Sequence, residues 1–194
     1  MKKRWLQLFN HNPKTMIEMY QTFIYFYTEP SRYYHTLNHI KTSLILFDEV
    51  KNQINDPFCI EIAIWFHDII YNPQKNNNEV LSAQQARLFL QKIAIKSHKI
   101  EQLILLTQHP ANPITEDEKY LIDIDLAILG SDPEIFEKYH QAIRKEYDFI
   151  PFELYQQKRK LVLKGFLNQN RLYQTDYFFN KFETQARENI KNQL

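Results

Sequence analysis

The chain has 194 residues, enough for one domain with a sizeable core. Hydrophobic residues make up 44% and charged residues 24%, and the formal net charge is +1. That balance is ordinary for a globular protein and excludes the basic stripe of a nucleic-acid groove or of a membrane-surface protein. No run is apolar and long enough to span a bilayer or to serve as a signal peptide, which makes a cytoplasmic protein the expectation. The single cysteine, Cys59, excludes an internal disulfide and reads as a small core residue.

Only two glycines occur, Gly130 and Gly165, and the prolines fall between apolar-periodic segments. The pattern predicts an all-α protein, a single-domain helical bundle. The first helices are expected over 3–9 and 14–28. The next, over 32–54, carries Tyr34, His35 and His39. Four residues apart on a helix, His35 and His39 share a face. Such a pair can bind one metal, can divide into a ligand and a group that acts on substrate, or can be two ordinary histidines at a helix start.

The helix over 57–71 is the most apolar stretch, with Glu61 as the one polar residue before His67 and Asp68. An ionised carboxylate is costly to bury without a partner, and a bound cation would supply one. The helix C-terminal end favours a cation as well. The polar loop from Asn72 to Asn78 follows directly and is expected at the mouth of the site. The helix over 78–94 then presents Glu79 and Ser82 on one face, to hydrogen-bond substrate or, for Asn78 and Glu79, to cap the helix start. The helix over 97–109 begins with a surface histidine, His98, and ends on His109.

On the helix over 116–129, Leu121, Ile122, Asp125, Ile128 and Leu129 follow the inward pattern. Asp125 therefore sits within the apolar stripe, to meet either a cation or an arginine or helix end. Asp123 points about 200° away and is expected nearer solvent, beside Lys119, Ala127 and Gly130. Asp132 and Pro133 read as N-cap and first residue of a helix over 132–148 that carries Arg144. The last helices are expected over 151–168 and 171–192. The Phe and Tyr stripes at 20–27 and 173–182 read as core, and His11 and His140 stand alone with no role. A histidine, the His-Asp pair and a buried aspartate, on three separate apolar helices, form a mixed N/O donor set of two imidazoles and two carboxylates. It suits manganese, iron, cobalt, nickel, zinc or magnesium.

The order histidine, His-Asp, Asp on separate helices resembles the HD superfamily of metal-dependent phosphohydrolases. The segment from Tyr34 to Ile40 also resembles the metal-site segment of cyclic-nucleotide phosphodiesterases, which belong to that broad superfamily. Over most of its length the chain is similar to a family of bacterial predicted HD-type phosphohydrolases. The likeness lies at Tyr34–Ile40, Trp65–Tyr71, Asn78–Ser82, Thr107–His109, Asp123–Gly130 and Ile143–Tyr147. It implies the HD-type helical fold, with His39, His67, Asp68 and Asp125 as ligands of a divalent metal. It implies that His35 protonates the leaving oxygen. Many binuclear members carry further histidines after His-Asp; here Tyr71 stands four after His67, and His109 is the one extra ligand candidate.

The function expected on these grounds is hydrolysis of a phosphate ester, in a small phosphorylated substrate or nucleotide, by a metal-activated water. Asp68 or Asp125 would accept the water proton, and His35 would act as general acid. Arg144 and Lys75 are the cationic candidates for phosphate, Arg144 for its two-pronged geometry; otherwise both are solvated charges. The alternatives are a di-iron oxygenase on the same fold, which needs about two further ligands, and a metal-containing binding or regulatory domain without catalysis.

Overall fold

Helix starts coincide with side chains that satisfy otherwise unpaired backbone amides. The computed structural model describes residues 1–9 and 13–194, so His11 lies outside the described residues. Among the described residues every regular element is helical: α1 (Lys2–Gln7), α2 (Pro13–Tyr27), α3 (Leu37–Val50), α4 (Pro57–Phe66), α5 (Asn78–Lys92), α6 (His98–Leu106), α7 (Glu116–Leu126), α8 (Pro133–Glu146), α9 (Phe152–Leu167) and α10 (Asp176–Lys191). Thr36 caps α3, Asp56 caps α4 ahead of Pro57, Thr115 and Glu118 form a capping box on α7, and Thr175 caps α10. The all-α expectation holds. None of these helices is long and apolar enough to cross a membrane.

Helix α4 is apolar all round, and it is surrounded accordingly. Ile60, Ile62, Ala63, Ile64, Trp65 and Phe66 are all buried. Trp5 from α1 meets Phe23, Trp65, Phe66 and Phe89 with ring centroids 4.8 to 6.1 Å apart. Glu61, the polar exception in α4, is buried against the Arg4 guanidinium at 2.6 Å. The Tyr27 hydroxyl donates to the Trp65 carbonyl at 3.0 Å. The C-terminal end of α4, from which His67 and Asp68 project, is thus fixed by core packing on all sides. Cys59 packs on this core, and burial, followed by the nearby Asp56, pushes its thiol up to about 12, an unreactive state.

Three expected helices are shorter than their periodicity implies, for one shared reason. The helix expected over 32–54 begins only at Leu37, because the amides of Tyr33, Tyr34 and His35 all donate to Oε1 of Glu146. The helix expected over 57–71 stops at Phe66. Beyond it the Arg32 guanidinium takes the carbonyls of Asp68 and Ile69, and the Ser82 hydroxyl takes the amide of Ile70. The helix expected over 171–192 begins at Asp176, because Glu183 takes the amides of Leu172 and Tyr173 and Asp123 takes those of Gln174 and Thr175. Backbone groups need partners, and distant charged side chains here replace the next helical turn.

Candidate metal centre and its cavity

His39 lies one turn into α3 and is buried. Its Nε2 stands 3.1 Å from His67 Nε2 and 3.2 Å from Asp125 Oδ1. His67 Nε2 lies 3.4 Å from Asp125 Oδ1 and 3.0 Å from Asp68 Oδ2, which is 3.5 Å from His39 Nε2. Donors about 2.1 Å from one ion are spaced about 3.4 Å apart at tetrahedral corners and about 3.0 Å apart at octahedral ones. The observed edges fall in that range. His39, His67 and Asp125 form a group that could hold a metal ion, with their donor atoms all within 4.8 Å of one another. Asp68 stands against both imidazoles without being part of that trio.

The donor chemistry fits a cation as well as the spacing does. His67 donates Nδ1–H to the Ile64 carbonyl at 2.9 Å. In the neutral ring this leaves the Nε2 lone pair aimed at the cluster, the arrangement that fixes a ligating histidine. Two Nε2 atoms 3.1 Å apart need a proton or a shared cation between them. Burial lowers the pKa of His67, but Asp68 and Asp125 outweigh it and raise it well above the imidazole range. Burial likewise raises the pKa of Asp125, and His67, His109 and His39 outweigh it and hold the carboxylate well below its ordinary range. The site is therefore built to concentrate positive charge.

Asp125 and Asp123 do point apart, but neither points to solvent. Asp125 faces the imidazoles. Asp123, expected nearer solvent, is fully buried on the opposite side of α7. It accepts from the Gln174 amide at 2.9 Å and from the Thr175 amide and hydroxyl at 2.7 Å each, and burial raises its carboxyl to about 6 despite these donors. Helix α10 continues this brace. Asn189 donates to the carbonyls of Leu129 and Ser131, and a Cβ on Gly130 would come within 2.6 Å of the Phe182 carbonyl. Asp125 is thus held from behind by α10, through contacts that have no counterpart in local periodicity.

His35 does not share a helix with His39. It precedes the cap of α3, and its Nδ1 lies 2.7 Å from Glu146 Oε2. Its ring stacks on Tyr71 at a centroid distance of 3.9 Å. Burial lowers its pKa, but Asp68 and Glu146 outweigh it and raise it. Glu146 is held below the carboxylate range because the His35 hydrogen bond outweighs the effect of burial.

A cavity of about 520 Å³ opens over the cluster. His35, His67, Asp68 and Asp125 line it, with His109, Lys75 and Glu79. Lys75 sits in the polar loop, which is at the mouth as expected. His109 Nε2 is 3.5 Å from Asp125 Oδ2 and supplies a fifth donor beside the group. Ile128, Leu129, Ile143 and Phe166 make part of the wall apolar.

Two residues chosen from the sequence as substrate groups are engaged elsewhere. Arg144 donates to the carbonyls of Tyr147 at 2.5 Å and Ile150 at 3.0 Å, and its guanidinium lies 4.8 Å from the Tyr155 ring centroid. It closes the end of α8, where unpaired carbonyls attract a cation, and does not line the cavity. Ser82 is fully buried and bridges the amide and carbonyl of Ile70. The residues that sequence reasoning passed over are Glu146 and Arg32, and the role it misjudged is that of Asp123. Each acts through the tertiary fold; Glu146 lay in a quoted motif with nothing local to mark its partner.

No family model, no curated protein and no solved structure matches this chain.

Proposed function

We propose that the protein is a metal-dependent phosphohydrolase of the HD type, cleaving a phosphate ester of a small molecule or nucleotide. The observation that carries this reading is the His39, His67 and Asp125 trio, with Asp68 against it, opening on a cavity that also takes His35. His39, His67 and Asp125 would hold a divalent ion, with Asp68 as the fourth group. The ion, when bound, would lower the pKa of water and draw charge from a phosphoryl oxygen.

The chain's own residues supply the rest. Burial raises the proton affinity of Asp68, but His67 and His35 outweigh it and keep the carboxylate ionised. In that form it accepts a hydrogen bond from an attacking water and orients it. His35 is committed to Glu146 through Nδ1, which leaves Nε2 as the ring atom free to serve the cavity. Against the effect of burial, Asp68 and Glu146 raise the pKa of His35, which favours the protonated state that a general acid needs. Tyr71 and Glu146 fix the ring plane. The apolar wall accommodates an organic body and sheds water from it.

The test is a panel of phosphorylated metabolites assayed with each of several divalent metals, on protein purified without chelator and with its metal content measured. Turnover of at least one ester, dependent on metal and lost in His39→Ala, is the expected result. No turnover of any ester with any metal would overturn the reading.

A further inference from the structure

The cavity carries a second chemistry that the donor trio does not use. Helix α9 contributes Tyr155, Lys158 and Arg159 to its wall. Arg159 is half-buried, and among the described residues no carboxylate pairs with it. Its hydrogen bond is to the Tyr139 hydroxyl, from Nη2 at 2.9 Å. Its Nε is buried with no partner among the described residues, and so is the Tyr155 hydroxyl beside it. A cation partly withdrawn from water is disfavoured without an anion, and buried donors without acceptors are costly. An oxyanion in the cavity supplies the missing counter-charge, and a turn of the Arg159 and Tyr155 side chains toward it would pair their unpartnered donors, the guanidinium fork receiving it with two parallel hydrogen bonds.

This place is separate from the metal cluster. From His39 the Tyr34 ring follows at 4.9 Å and the Tyr139 ring at a further 4.6 Å, and the Arg159 guanidinium lies 5.3 Å from the Tyr139 centroid. Two aromatic rings in successive contact thus link the cluster to the cation.

We propose that Arg159, with the Tyr155 hydroxyl and the Lys158 ammonium, forms an oxyanion subsite distinct from the metal centre. Its ligand is a phosphate or carboxylate group of a small molecule whose body lies against the apolar wall. Joined to the hydrolase reading, on which this last step alone rests, the substrate class is a molecule with an oxyanion at each end. One end is the ester to be cleaved and the other is held by Arg159.

The experiment measures binding without turnover. Inorganic phosphate is titrated into full-length His39→Ala, in which the donor trio is broken, and followed by phosphorus NMR line width. Saturable binding is expected there. Adding Arg159→Gln should weaken it by about tenfold or more, the worth of one charge-assisted hydrogen bond. Arg159→Lys should recover part of the affinity, and Tyr155→Phe should lose less than Arg159→Gln. Melting curves verify that each variant is folded. If His39→Ala does not fold, wild type is compared with Arg159→Gln, and the number of phosphates bound should fall by one. Displacement of bound phosphate by benzoate at lower concentration than by further phosphate assigns the subsite to a carboxylate, the reverse order assigns it to a phosphate, and both support it. Equal phosphate affinity with and without Arg159 would overturn the proposal, as would loss of all binding in a folded His39→Ala. Failure of the hydrolase reading leaves these outcomes unchanged, because neither metal nor turnover enters the readout.

Discussion

Glu146 and His35, 111 positions apart, are joined by a 2.7 Å contact between Oε2 and Nδ1. The other oxygen of the same carboxylate collects the amides of Tyr33, Tyr34 and His35 at 2.7 to 3.0 Å. One buried side chain therefore sets the path of the chain before α3 and the orientation of the imidazole it carries.

Glu146→Gln should separate these two effects. The amide keeps an oxygen for the backbone but loses the charge that helps to raise the pKa of His35. The alkaline limb of a pH–rate profile should then move to lower pH, because the acid form of His35 is lost sooner. Stability follows the same signs. The lowered pKa of Glu146 stabilises the fold above its ordinary value of 4.5, and this is lost as pH falls. The raised pKa of His35 stabilises below its ordinary value of 6.5, and this is lost as pH rises. The stability gap between wild type and Glu146→Gln should therefore be widest between these two values. Urea melts across pH measure it; a gap independent of pH would refute the coupling.

His35→Ala should keep the metal and lose turnover by about 10²–10⁴-fold, the usual worth of general acid–base help. Metal analysis beside steady-state kinetics tests this. Loss of metal as complete as in His39→Ala would make His35 a ligand instead.

Removing one ligand should abolish metal retention. His39→Ala and Asp125→Ala should bind no stoichiometric metal after dialysis, whereas wild type should bind one ion per chain. Wild-type stability should rise with metal concentration, by about 2.7 kcal/mol at a hundred times Kd, and that of the variants should not. Thermal melts with and without added metal check this.

Asp123→Ala should weaken metal binding without touching the metal. It leaves the Gln174 and Thr175 amides without their acceptor, which costs about 1–3 kcal/mol when the donors stay buried. The brace behind Asp125 loosens with it. Urea melts give the first quantity and metal titration the second; unaltered metal affinity in a destabilised variant would show that α7 holds Asp125 unaided.

Arg144→Ala should act on stability alone. Its guanidinium serves the Tyr147 and Ile150 carbonyls, and hydrogen bonds to a charged group are worth about 1.5–3 kcal/mol. A fall in kcat/KM with unchanged stability would return Arg144 to a substrate role.

The helical class, the ten helical segments and the inward phase of Asp125 were legible in the sequence by itself, because a 3.6-residue period records which face of a helix is buried. That His67, Asp68 and Asp125 need each other, a histidine or a cation was legible too, as polar groups within apolar stripes; the choice of His39 as the histidine that joins them came only from the resemblance to the HD superfamily. Only the tertiary structure decided where α3, α4 and α10 start and stop. There, Glu146, Arg32, Glu183 and Asp123 capture backbone groups from distant segments, and no local pattern encodes such a partner. For the same reason Asp123 proved to be a buried brace, Arg144 a helix-end cap, and Arg159 a cavity cation with no carboxylate partner among the described residues. The environment of a charged side chain is set by what other elements bring to it, and periodicity reports only the face on which it begins.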